Sequence, residues 1–248
     1  MKVPRAYDVI GSIAILKFPE KTGKKEKKKT ACKLLEERKN IKTVLEKTEK
    51  VKGRLRTIKT RYLAGLKSRE TIHKESSCLF KLDVEKCYFS PRLSGERLEI
   101  AKEIRKKDKV LVMFSGVGPY PIVIGKISGC KKVVSIELSR IASKYAKENV
   151  KLNKLKNVEI VQGDVKKVVK KLREKFDVIV MPRPQLKESF LKQAFSVSRK
   201  GTEIFYYDFG KEPGDILEKI YKESRKARKK IKILKVKRAG DIAPYKFR

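Results

Sequence analysis

From residue 99 onward the apolar positions switch repeatedly between two spacings. VLVMF (110–114), KVVSIEL (132–138), NVEIVQGD (157–164), FDVIVMPRP (176–184) and TEIFYYDFG (202–210) are short, β-branched or aromatic runs that predict strands. Between them EIAKEIRKKDK (99–109), PIVIGKISG (121–129), SRIASKYAKENVKLNKL (139–155), VKKVVKKLREK (165–175) and KESFLKQAFSVSRKG (187–201) carry helical spacing. In the third of these, Ile141, Tyr145 and Val150 are expected on the inner side. A last helix over 213–229 and a basic strand IKILKVKRAG (231–240) are predicted to close the chain. Strand–helix repeats of this length predict a doubly wound, mostly parallel sheet covered on both faces, a Rossmann-like α/β fold.

The first 75 residues read differently. VIGSIAILKF (9–18) alternates as a strand with a glycine bend, and Leu34, Leu35, Ile41, Val44 and Leu45 after it have helical spacing. Residues 51–66 and 70–82 predict further strands dense in Lys and Arg. The expected organisation is a small basic α+β module over 1–75, followed by a catalytic domain over 76–248.

Charge narrows the partner. Of the 248 residues, 66 are Lys or Arg and 29 are Asp or Glu, a formal net charge of +37. Self-repulsion on that scale works against a compact state unless a polyanion offsets it, and nucleic acid is the natural polyanion. The alternative is a solvated lysine-rich surface of the kind found in hot or A·T-rich organisms. Cys32, Cys78, Cys87 and Cys130 lack metal-ligand spacing and His73 is the lone histidine, so buried reduced thiols are expected and no metal site. No apolar run approaches a membrane span and the N-terminus is no signal peptide, so a cytoplasmic protein with no membrane partner is expected.

The loop after the first strand of the repeat, Phe114-Ser115-Gly116-Val117-Gly118-Pro119, would lie at the carboxyl end of the sheet, where such folds bind nucleotides. It lacks the third glycine of the dinucleotide fingerprint and the Gly-Lys-Ser/Thr of a P-loop. The next strand ends in Glu137, which can accept from both hydroxyls of a ribose. The third ends in Gln162-Gly163-Asp164, whose acid can accept from an adenine amino group. Loop, Glu137 and Asp164 together point to S-adenosylmethionine rather than NAD. The competing reading is that both acids cap the helices that follow them.

LDVEKCYFSPRLSGER (82–97), then FSGVGP and FYYDFGK, resembles the archaeal and eukaryotic tRNA guanine-37 N1-methyltransferase family, and the likeness extends from Val3 to Pro244. The resemblance implies methyl transfer from S-adenosylmethionine to N1 of the guanine 3′ of the anticodon. It also implies a tRNA anticodon stem and loop as partner, with the chain acting as a monomer. Related wyosine-pathway enzymes share the fold and methylate C7 or transfer an aminocarboxypropyl group, and a non-catalytic RNA-binding relative is a further alternative. Glu96 falls where the family has its proposed general base, and Arg56 where it has an arginine that stabilises charge on guanine O6. Tyr88 falls at an aromatic near the cofactor. The expected cofactor set is thus Tyr88, Phe114, Ser115, Gly116, Val117, Gly118, Glu137, Leu138, Gly163, Asp164 and Val165. Arg92, Pro182, Arg183 and Pro184 are expected to meet the RNA, with Tyr88, Phe89, Pro182 and Pro184 lining the base pocket. Two departures stand out: Val112 replaces an aspartate common in relatives, and Met181-Pro182-Arg183-Pro184 replaces an Asn-Pro run. Archaeal relatives usually carry an additional small elbow-gripping N-terminal domain, and this chain is expected to begin directly in the second module.

Overall fold

The computed structural model describes residues 7–49, 57–182, 186, 188–210, 212–237, 241–243 and 246–247. Arg56, Arg183 and Pro184 lie outside the described residues.

The N-terminal region forms a four-stranded sheet in the order β1 (Asp8–Ile10), β2 (Ile13–Leu16), β3 (Thr43–Lys47), β4 (Thr60–Gly65), with α1 (Lys24–Glu37) crossing between the parallel pair β2 and β3. Two sequence expectations are corrected here. The predicted single strand over 9–18 is a tight hairpin turning at Gly11-Ser12. The helical spacing of Ile41, Val44 and Leu45 belongs to no helix: α1 ends at Glu37, and Val44 and Leu45 are buried in β3. A short apolar run satisfies both periods, and pairing with β2 and β4 decides between them.

β5 (Glu70–Glu75) and β6 (Cys78–Asp83) form an antiparallel hairpin around Ser76 and Ser77, both at positive φ as a two-residue hairpin turn demands. The expected module boundary at residue 75 falls inside this hairpin. On one side, the β1–β2 turn docks on β5: the Gly11 amide donates to His73 Nδ1 (3.1 Å) and the Ser12 amide to Thr71 Oγ1 (3.0 Å). Gly11 has φ +56°, and a Cβ there would lie 2.4 Å from the Ile72 carbonyl oxygen, so the approach needs glycine.

After a 3-10 turn (Pro91–Leu93) come α2 (Ser94–Glu103), β7 (Lys109–Met113), α3 (Pro119–Ile127), β8 (Lys132–Glu137), α4 (Arg140–Leu152), β9 (Val158–Gln162), α5 (Val165–Lys171), β10 (Phe176–Met181), α6 (Leu191–Val197), β11 (Ser198–Tyr206) and α7 (Pro213–Lys226). The five strands form one parallel sheet in the order β11-β10-β7-β8-β9, so the chain reverses direction across the sheet between β7 and β10. Val110, Leu111, Val112 and Met113 are all fully buried because helices cover both faces. α2 begins five residues before the expected segment and ends at Glu103; the Asp108 carboxylate captures the Arg105 amide (2.9 Å), closing a turn ahead of β7.

The hairpin β5–β6 is fastened to α4 by two asparagines one helical turn apart. Asn149 Oδ1 accepts from the Lys81 amide (2.7 Å) while its Nδ2 donates to the Lys81 and Val117 carbonyls (both 3.0 Å). Asn153 repeats the pattern on Leu79, at 2.9 and 2.7 Å. These amides act as a substitute strand along the free edge of β6. Replacing Asn153 with alanine is expected to lower stability by about 2 kcal/mol, read as a shifted denaturant midpoint; an unchanged midpoint would show that water takes over both Leu79 groups.

Within α4, Tyr145 is buried and Val150 packs against the core, but Ile141 is 47% exposed, contrary to the inner position expected for it. α6 is shorter than predicted, because Ser198 to Gly201 already belong to β11. The predicted basic strand over 231–240 has no ladder over 231–237. That stretch runs beside a cavity of about 1120 Å³ between α2, the outer edge of β11 and α7. β12 (Asp241–Ala243) and β13 (Lys246–Phe247) pair with each other. Cys78, Cys87 and Cys130 are buried, and burial pushes the Cys87 thiol up to about 12; Cys32 is exposed, which differs from the expectation for it. No helix among the described residues is long and apolar enough to cross a membrane.

Candidate active site at the carboxyl ends of β7, β8 and β10

Directly after β7 the chain turns through Phe114 (φ 61°), Gly116 (φ 58°) and Gly118 (φ 90°) into α3. Gly118 is the left-handed N-cap of that helix, and a Cβ on it would lie 3.0 Å from Ile122 Cδ1. Ser115 ties the loop to β8, its amide donating to the Ile136 carbonyl at 3.2 Å. A Cβ on Gly116 would lie in van der Waals contact with the Tyr88 carbonyl oxygen, at 3.6 Å, so the loop runs close against the half-buried Tyr88 segment.

Glu137 ends β8 facing this loop. Its Oε2 accepts from the Gly116 amide (2.7 Å) and its Oε1 from the Ser139 amide (2.8 Å). The N-cap of α4 is Ser139, whose side chain accepts from the Ala142 amide, so Glu137 is not a helix cap. Burial raises its carboxyl above the usual carboxylate range, against the backbone amides that hold it down. Such a carboxylate, solvated by protein amides, can accept further hydrogen bonds from a ribose diol. Asp164 does cap its helix, accepting from the Lys166 amide at 2.9 Å, so here the capping reading is realised. Gly163 (φ 155°) donates to the Glu137 carbonyl and Gln162 Nε2 to the Leu138 carbonyl, which joins the ends of β8 and β9.

Several expected site residues have packing or pairing partners of their own. Val117 and Val165 are buried and send their side chains into the two cores, leaving only their backbone for a ligand. Phe89 is not a pocket wall: it packs edge-on to His73 and beneath the Arg97 guanidinium. Phe114 packs edge-on to Phe190. Arg92 is exposed and pairs with Asp8 of β1 at 2.8 Å. Val112 is fully buried inside the strand, so the missing aspartate is replaced by core packing.

Glu96 lies in the first turn of α2, where the helix N-terminus favours a negative charge. Its Oε1 accepts from the Tyr207 hydroxyl at 2.9 Å, and Lys237 Nζ stands 3.5 Å from Oε2. Tyr207 directly follows β11, and its amide donates to the Met181 carbonyl (3.4 Å), the last residue before Pro182. The carboxylate is thereby tied to the carboxyl ends of β10 and β11, on the opposite side of the strand reversal from Glu137. Neighbouring Arg97 is buried and makes a two-pronged ion pair with Glu75 at 2.6 and 2.5 Å. Tyr207, Tyr120 and Arg97 carried no sequence signal of a role. The Tyr207–Glu96 contact spans 111 positions, and no local pattern encodes it.

A reversing parallel sheet with a glycine loop after its first strand and a buried, amide-held acid at the end of its second is the architecture of a Rossmann-like, S-adenosylmethionine-dependent methyltransferase. The model of the TRM5/TYW2 methyltransferase domain matches residues 71–234, and that of the TYW2 N-terminal domain residues 1–68. The chain belongs to the TRM5/TYW2 methyltransferase family. It is 36% identical to the tRNA (guanine(37)-N(1))-methyltransferase Trm5b of Pyrococcus abyssi, over 99% of this chain and 73% of that protein. The crystal structure of that relative superposes with a TM-score of 0.87, covering 98% of this chain and 73% of the other. The tRNA (guanine(37)-N(1))/4-demethylwyosine(37)-methyltransferase Taw22 of Nanoarchaeum equitans is 32% identical, over 98% of this chain and 97% of its own length. The structure of a complex of aTrm5 with tRNALeu matches at a TM-score of 0.85 and 30% identity, covering 99% and 70% of the two chains.

Proposed function

We propose that this chain transfers the methyl group of S-adenosylmethionine to N1 of guanine 37 in the anticodon loop of tRNA. The observation that carries the reading is the position of Glu96: a carboxylate fixed at the ends of β10 and β11, across the strand reversal from the Gly116–Glu137 cradle. The cradle fits an adenosyl group, since Glu137 has its carboxylate held by amides at the loop and Gly116 and Gly118 bring left-handed backbone, without side chains, to the end of β7. Bound there, the cofactor supplies an electrophilic methyl carbon. Glu137 would hold the ribose hydroxyls, the 114–118 loop the amino-acid end, and Gly163, Asp164 and Leu138 the adenine side.

Guanine N1 is a weak acid, so removing its proton as the methyl arrives needs a positioned acceptor, and Glu96 is that acceptor. Arg56 would balance charge on guanine O6. Pro182, Arg183 and Pro184 would border a base flipped out of the loop beside Tyr88. The basic module over 1–75 and Arg92 would hold RNA phosphates, with the domain over 76–248 performing the chemistry on a monomer. A phosphate-dominated contact predicts that log affinity for tRNA falls linearly with log salt, with a slope of roughly 0.7–0.9 per phosphate engaged. Filter binding across a salt series measures it, and a flat response would remove the phosphate contacts from the account.

A second reading, C7 methylation of 4-demethylwyosine at the same position, is favoured by the match of residues 1–68 to the TYW2 N-terminal domain. Incubation of methyl-labelled donor with transcripts bearing guanine or adenine at position 37, followed by nucleoside analysis, separates the two. Label in N1-methylguanosine from the guanine transcript alone is the expected result. Label that appears only when the tRNA already carries the tricyclic base would establish the second reading instead.

A further inference from the structure

Behind Glu96 lies a buried pair of phenols. Tyr207 donates its hydroxyl proton to Glu96 Oε1 at 2.9 Å, and Tyr120 donates to the Tyr207 oxygen at 3.2 Å. Both tyrosines are nearly inaccessible, at 7% and 3% exposure, and their rings meet edge-on with centroids 6.1 Å apart. Burial, Tyr120 and the Glu96 carboxylate all push the Tyr207 phenol above its ordinary range, so it stays protonated and serves as donor rather than base. Tyr120 stands in the first turn of α3, the helix that the cofactor loop opens, and the Arg97 guanidinium lies over its ring at 5.8 Å.

We propose that Tyr207, supported by Tyr120, is a positioning residue for methyl transfer: it commits one oxygen of Glu96 and so aims the other at the base proton. This rests on the reading of Glu96 as the proton acceptor. A glutamate on the first turn of a helix has three rotatable torsions, and in solvent it would sample many orientations. A donor held by the β10–β11 ends and backed from α3 selects one of them. Because α3 also begins at the cofactor loop, the same pair references the acceptor oxygen to the methyl donor. Among the described residues Lys237, at 3.5 Å from Oε2, is the charged group that faces the carboxylate, with Glu99 and Lys235 beyond it on the solvent side.

Pre-organisation of this kind is read in turnover rather than in binding. Tyr207→Phe is expected to lower kcat by about 10- to 100-fold, with KM for tRNA and cofactor affinity unchanged. Tyr120→Phe, which leaves the Tyr207 hydroxyl in place, should give a smaller loss in the same parameter. A cycle with Glu96→Ala makes the test specific: in the Glu96→Ala background Tyr207→Phe should cost nothing further. An equal loss in both backgrounds, or a loss confined to KM or to cofactor affinity, would overturn the positioning role. If Tyr207→Phe does not fold, Tyr120→Phe in the two backgrounds decides by the same criterion. Failure of the underlying reading looks different, since Glu96→Ala would then keep full kcat whatever the tyrosines do.

Discussion

Glu96→Ala is expected to reduce the rate of methyl transfer by about 10²- to 10⁴-fold, the usual worth of a positioned general base. Cofactor affinity should stay within about twofold, because the residues that cradle the adenosyl group, Gly116 and Glu137, bond to each other and to Ser139, across the strand reversal from Glu96. The loss should fall on kcat and on kcat/KM equally, the sign of an interaction made only in the transition state. Single-turnover kinetics for the rate and calorimetry for the cofactor separate the two quantities. A matching collapse of cofactor binding would show that Glu96 shapes the cleft rather than the chemistry. Glu96→Gln sharpens the result. It keeps the shape and the Tyr207 contact but removes the proton acceptor, so it should be nearly as slow as alanine.

Arg97→Met is expected to produce the largest loss of stability, about 3–5 kcal/mol, because it leaves the Glu75 carboxylate buried without its counter-charge. Domains of this kind have only about 5–15 kcal/mol in total. Arg97 is 1% exposed, with Glu75 on two of its nitrogens and the Ser90 carbonyl at 3.0 Å, so no water can replace the guanidinium cheaply. Urea unfolding measures the change. The double variant Arg97→Met with Glu75→Leu should recover most of it, since removing both charges removes the desolvation cost as well. The pH dependence has a definite sign. Burial pushes the Glu75 carboxyl up, but hydrogen bonds from His73 and Arg97, with the guanidinium charge, outweigh it and hold the group below the usual range. A depressed folded value means that this contribution is fully present above the ordinary carboxylate value and is lost as pH falls through the folded one. Wild-type stability should therefore drop on the acid side, below about pH 4.5, and the double variant should lack that part of the drop.

Much of this was already legible in the residues. Five apolar runs set the parallel sheet, because strands buried on both faces must be continuously apolar, and β7 with Val110 to Met113 is the clearest case. Gly116 and Gly118 marked the loop, since glycine lets backbone approach a ligand without a Cβ in the way, and Glu137 followed as the acid ending the next strand. Where the reading slipped, two periods competed or a contact was remote. Val44 and Leu45 suit a helix as well as a strand, and only the β2 and β4 partners place them in β3. Phe89 looked available for a base until the Arg97 and His73 packing claimed it.

The chain's own pattern determined the layers, the nucleotide end of the sheet and the cationic character, because these depend on near neighbours and on summed charge. Tertiary structure alone decided that Asn149 and Asn153 clasp β6, that Glu75 pairs with Arg97, and that a phenol from the end of β11 meets Glu96 on α2. Those contacts join residues far apart in sequence. They exist because the strand order and the docking of the hairpin bring the elements together, and no periodicity within any one element records that order.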